Sequence, residues 1–169
     1  MDEATDTHAP IAGEPAAAPS TQDAVSLLRA DHTRIEALLD DVVRSAADDG
    51  GAHADRSGTV SRLGAVLKAH VQMEAELLNP LEGSGSAPAA HACHGELRTD
   101  LHSLVEAESA DAATYTAALA QMQQSVHAHI VAQETQLLPH LEAASAELLE
   151  LGTRMAIRRG ELLGEQGVD

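Results

Sequence analysis

The stretch VSLLRADHTRIEALLDDVV, Val25 to Val43, decides the fold. Val25, Leu28, Ile35, Leu39 and Val42 recur at spacings of three and four, the period of one helix face, and His32 stands in that row where a leucine belongs. Three further stretches repeat the pattern. Leu63, Leu67, His70, Glu74, Leu77 and Leu81 form a row with an imidazole and a carboxylate one turn apart. Ala90, His94, Leu97, Leu101 and Leu104 form a third, and Leu119, Met122, Val126, His129 and Gln133 a fourth. Each predicted helix therefore carries a histidine on the face it must bury. A polar ring buried without a partner costs several kcal/mol. Four of them in one small core need a common partner, and a metal centre supplies it.

The rest of the composition agrees with packed helices. Tyr115 is the single aromatic residue, so the core is built from Leu, Val, Ile, Met and Ala, which suits helices better than sheets. A length of 169 residues makes one domain with room for a tail. The net charge of −17 argues against a nucleic-acid partner and attracts cations in a generic way. No stretch approaches about 18 uninterrupted apolar residues, so no membrane partner is expected. The first 20 residues lack the positive start and apolar run of a secretory signal. Cys93 is the only cysteine and can form no intrachain disulfide, so a reducing, cytoplasmic setting is expected.

The expected organisation is all-α: an up-and-down four-helix bundle with an additional C-terminal helix. Residues 1–19, rich in Ala, Pro, Asp and Glu without periodicity, read as a disordered tail, and residues 20–144 as the bundle. Ser20, with Asp23 three residues on, marks the start of the first helix, which runs to about Ala47. The second covers about Thr59 to Glu82, GSGSAP (Gly83 to Pro88) reads as a break, and the third runs from about Ala87 to Ala110. The fourth covers about Asp111 to Leu138, where Pro139 kinks or ends it. Residues 145–169 hold the extra helix, whose arginines are expected to pair with Glu147, Glu150 and Glu161. Counting from the turns, the four histidines fall within about a helical turn of one level. HVQMEAELLNPLE (His70 to Glu82) and HIVAQETQLLPHLE (His129 to Glu142) echo one another, so the chain reads as two hairpins of one plan.

His70 and Glu74, at i and i+4, reach the same small volume, and imidazole with carboxylate suits iron, zinc, copper or nickel. None of the ten histidines has a glutamate three residues before it, which excludes the ferritin-like di-iron pattern. Thiolate zinc sites, nucleotide-binding loops and Ser-His-Asp arrangements are missing from the sequence.

LLRADHTRIEALLDDV, HVQMEAELLNPLE, CHGELRTDL and HIVAQETQLLPHLE together resemble the hemerythrin-like family, or HHE cation-binding domain, over about residues 22–142. That resemblance implies a four-helix bundle holding two non-haem iron ions, oxo- or hydroxo-bridged, with His32, His70, His94 and His129 as ligands and Glu74 as one bridge. It also implies a second bridging acid near His129. Position 133 holds Gln and position 134 Glu, so Glu134 is favoured over Gln133, with a local widening of the helix. Family members with two histidines on the third helix make His91 a candidate fifth imidazole.

The function expected from the resemblance is binding of, or reaction with, dioxygen or hydrogen peroxide, as carrier, sensor or peroxide-disproportionating enzyme, in a monomer or weak homo-oligomer. A metal-sensing or metal-binding module without catalysis is the alternative, and a metal-free bundle with histidine networks a third reading. His102 and His127 are expected on the surface, Cys93 as a small buried filler and Tyr115 as a cap at the bundle end.

Overall fold

In the computed structural model of the chain, residues 22–47, 53–78, 83–144 and 147–165 are described, with side chains for all of these except 53–56, 83–92 and 144. The expected tail, residues 1–19, lies outside them. The helices are α1 (Ala24–Ala47), α2 (His53–Leu77), α3 (Gly83–Ala107) and α4 (Ala112–Ala132), followed by a π-helical turn (Gln133–Leu137), α5 (Leu138–Ala144) and α6 (Leu148–Glu165). No strand occurs among the described residues.

α1 packs on α2, α2 on α3, α3 on α4 and α4 on α1, which closes a four-helix ring. α6 lies across α1 and α2. The axis is filled by the predicted rows: Leu28 and Ile35 of α1, Leu63 and Leu67 of α2, Leu97 and Leu104 of α3 and Met122 of α4 are all buried. Carboxylates start two of the helices. Asp23 accepts from the Ser26 amide at 2.8 Å, and Asp111 accepts from Ala113 and Thr114, satisfying amides that the first turn leaves orphaned. The cap that starts α1 is thus Asp23, three residues later than expected.

Three boundaries differ more, the first being that of α2, which begins at His53, six residues before the expected Thr59. α3 begins at Gly83, so the GSGSAP run is its first turns and not a break before it. A helix start tolerates this composition, because its first amides bond to no carbonyl of the helix. Pro139 does not end the last long helix, which runs through a π-helical turn into α5. The amide of Gln133 still bonds back to His129 and Ile130, whereas the amide of Leu138 bonds five residues back to Gln133. Proline has no amide hydrogen to offer, and its ring crowds the carbonyl four residues before it, here that of Thr135. One wider turn immediately before Pro139 absorbs both effects, and the helix continues as α5.

α6 is held by a backbone crossing as well as by its apolar face. A Cβ on Gly152 would lie 2.3 Å from the carbonyl oxygen of Gln22 and 2.7 Å from the amide nitrogen of Ala24. Only glycine lets the start of α1 pass so close. No described helix is long and apolar enough to cross a membrane.

Candidate metal centre

The four inward histidines meet, one from each helix of the ring, around Glu74. His32, His70, His94 and His129 are each at most 3 % exposed, and Glu74 is 2 % exposed. Oε1 of Glu74 lies 3.2 Å from Nε2 of His70, while Oε2 lies 3.0 Å from Nε2 of His94 and 3.7 Å from Nε2 of His129. Nε2 of His70 and Nε2 of His129 face each other at 3.3 Å. The His32 ring stands 5.3 Å from that of His70 and 6.2 Å from that of His129, and the His94 ring 5.3 Å from that of His129.

Burial and close charges shift the titration of several groups at the centre. Burial alone would raise the Glu74 pKa, but the imidazoles of His70, His94 and His129 outweigh it and hold the carboxyl at about 2. Burial drives His129 down to about 3, against the pull of Glu74, so its ring is neutral at pH 7 and has a lone pair to give. Burial opposes charge on His70 as well, yet Glu74 and Asp31 outweigh it and raise its pKa.

These residues fit a cation. One donor atom from each of His32, His70, Glu74 and His129 lies within 4.8 Å of the other three. Oε1 of Glu74 is buried without a hydrogen bond, and the two facing Nε2 atoms of His70 and His129 point at the same space. Imidazole nitrogens with one carboxylate are donors for iron, zinc, copper or nickel.

Around position 133 the structure corrects the expected geometry. Gln133, 5 % exposed, sits on the inner face: its Nε2 donates to Oε2 of Glu74 at 2.7 Å and its Oε1 lies 2.8 Å from Nε2 of His32. Glu134 does not join the inner group. Its Oε1 lies 3.0 Å from Nδ1 of His32, on the outer side of that ring, and its Oε2 accepts from Arg29 at 3.3 Å. The physical reason is where the widening falls. It begins at the carbonyl of Gln133, so the backbone from His129 to Gln133 keeps the ordinary period and puts Gln133 one turn on, facing inward. Glu134 is then turned about 100° further, towards α1. The two acidic-position candidates thus divide the roles: one amide inside, one carboxylate steadying His32 from outside, with its pKa lowered by the ring and by Arg29 against the effect of burial.

The side chain of His91 lies outside the described residues. His102 is exposed and pairs with Glu106 at 3.3 Å, His127 is exposed, Cys93 is half-buried and Tyr115 is buried. Of the α6 arginines, Arg158 reaches Glu161 as expected, but also Glu76 of α2. Arg159 reaches Asp31, 1 % exposed, whose other oxygen lies 3.6 Å from Nδ1 of His70. Neither partner was singled out by the sequence rows, though a signal was there. Ala24, Leu27 and Asp31 form a second inward row on α1, beside the first, as a helix with two packing partners requires.

A family model described as the Hemerythrin HHE cation binding domain matches residues 23–141. No curated protein and no solved structure matches the chain.

Proposed function

The chain belongs to the hemerythrin HHE cation-binding family, a metal-binding helical module, and from that footing we propose that it holds two non-haem iron ions and binds or reacts with dioxygen or hydrogen peroxide. One observation carries the two-ion reading: the oxygens of Glu74 face different imidazoles, Oε1 towards His70 and Oε2 towards His94 and His129. A carboxylate placed this way can serve two ions. His32, His70, His94 and His129 are the proposed terminal donors, and His91, one turn before His94 on α3, the proposed fifth imidazole. Gln133 offers a neutral amide oxygen where a second acid was expected. Iron there supplies electrons and an open position for a small ligand.

The protein's own part is to gather donors and exclude water. Glu74 stays ionised and His129 neutral, so neither must lose a proton before it binds a cation at pH 7. Leu67, Met73, Leu97 and Val126, each within a turn of a donor on its own helix, are buried and make the surroundings apolar. Glu134 fixes the outer nitrogen of His32.

A visible absorption band that rises when oxygen meets the reduced, iron-loaded protein is the expected result. Evolution of oxygen on adding peroxide marks the enzymatic version, and a stable oxygen-dependent band without turnover marks the carrier. Absence of both signals from an iron-loaded sample overturns the proposal. One observation favours a second reading, a metal-binding module without catalysis: His32, His70, Glu74 and His129 converge tightly enough to hold a single ion, with Glu74 as the only anion of that group. One tightly held ion per chain and no oxygen-dependent band is its signature.

A further inference from the structure

Asp31 is a carboxylate almost sealed from water, and it has an ion-pair neighbour on each side, with neither oxygen in hydrogen-bond geometry. Oδ2 lies 3.6 Å from Nδ1 of His70 on α2, and Oδ1 lies 2.7 Å from Nε of Arg159 on α6. The opposite nitrogen of His70 faces Glu74 at the centre. A carboxylate on the outer nitrogen of a metal-binding imidazole fixes the ring's orientation and keeps the inner nitrogen's lone pair directed at the ion. Among the described residues, Arg159 is the only arginine or lysine paired with this carboxylate, and a buried charge without its partner is costly.

His32 has the same kind of outer partner, Glu134 braced by Arg29, but all three belong to α1 and the π-helical turn. The His70 arrangement differs because its cation comes from a helix outside the four-helix ring. Docking of α6 in turn depends on a distant feature, the crossing of Gly152 over residues 22–24.

We propose that Asp31 is the positioning residue for His70 and that Arg159 makes this positioning depend on α6, so that metal occupancy and docking of α6 are coupled. The inference rests on the cluster being a metal site. With α6 docked, Asp31 is neutralised and held beside His70. With α6 undocked, Asp31 loses its cation and meets water, and His70 loses its brace. Linkage makes the coupling reciprocal: the factor by which docking raises metal affinity is the factor by which metal favours docking. Outer partners of metal-binding histidines are typically worth about 10- to 100-fold in affinity, which sets the expected size.

The test uses the full chain titrated with Co(II), whose visible ligand-field bands report donor geometry. Affinity is measured against a competing chelator, with circular dichroism to confirm folding. Trypsin cleavage within α6, at Arg154 for example, is timed with and without Co(II). In the native chain, Co(II) slows that cleavage. Asp31→Asn and Arg159→Met each lower Co(II) affinity 10- to 100-fold and shift the bands. Gly152→Ala lowers affinity by a comparable factor although it changes none of the donors, Asp31 or Arg159, because the added Cβ meets the backbone of residues 22–24 and unseats α6. A structural role without coupling leaves the bands and the affinity of Gly152→Ala unchanged. If Co(II) binds the native chain but all three variants match it, and cleavage of α6 ignores Co(II), the coupling is wrong and the metal site stands. If the native chain binds no Co(II), the metal site falls and takes the coupling with it.

Discussion

Gln133 is the residue on which the chemistry of this centre turns, because it places an amide 2.7 Å from the buried carboxylate of Glu74. Replacing it with glutamate brings a second negative charge into the same water-poor space. Without metal, Gln133→Glu should lower the melting temperature, since two adjacent carboxylates cannot both ionise there cheaply. With metal, the added anion becomes a donor and the order reverses, so the gain in melting temperature on loading should exceed that of the native chain. His70→Leu separates metal site from mere polar network. It should abolish loading and also lower the stability of the metal-free bundle, because the buried carboxylates of Glu74 and Asp31 lose an imidazole partner. The native chain alone then gains stability from metal, about 2.7 kcal/mol at a free concentration 100 times its dissociation constant. Acid should weaken the metal-free fold, and the signs can be followed group by group. Glu74, held at about 2 against an ordinary 4.5, contributes stability above pH 4.5 that disappears towards pH 2. His129, held at about 3 against 6.5, resists a proton that the unfolded chain accepts, so stability falls between pH 6.5 and 3. His70, whose pKa is raised, acts the other way and contributes most below 6.5. Denaturant midpoints against pH should show a net fall on acidification, less steep between pH 6.5 and 3 in His129→Leu. The histidines were legible in the sequence because each interrupts an apolar row, a position where a polar ring is expensive. Asp31 was not, because it stands in a second row on α1 whose partner, α6, only the folded chain reveals.

At the scale of elements, the passage from α4 through the π-helical turn into α5 decides which side chain of the last helix faces the centre. Pro139 signalled a disturbance near Thr135 from sequence alone. What sequence periodicity could not give was its starting point, and a shift of one residue exchanges Gln133 for Glu134. Pro139→Ala restores the missing amide hydrogen and removes the crowding at Thr135. It should stabilise the helix while closing the wide turn to an ordinary one. Hydrogen exchange should then slow across residues 133–139, and the contact between Glu134 and His32 should weaken, with a loss of metal affinity despite the gain in melting temperature. An unchanged exchange pattern would show that the wide turn has another cause. Helix ends were less legible than helix faces, as with α3, whose glycine- and serine-rich start reads as a loop although a first turn makes few demands on its residues.

For the whole molecule, the ring of four helices brings together imidazoles that lie far apart along the chain, from His32 to His129. The up-and-down order was recoverable from the turns, and so was the approximate common level of the rings. The place of α6 was not, since an amphipathic helix shows that it needs a partner without saying which. The acidic surface, with a net charge of −17, keeps the field around the bundle favourable to cations, and only the buried donors can discriminate among them. Everything functional here requires that the donor cluster around Glu74 be a place for metal. Elemental analysis of the freshly purified native chain, with His70→Leu prepared in parallel, tests this most directly. The expected result is close to two iron atoms per native chain and essentially none in the variant. A native chain that carries no transition metal, and takes none up when iron is supplied under reducing conditions, would contradict it.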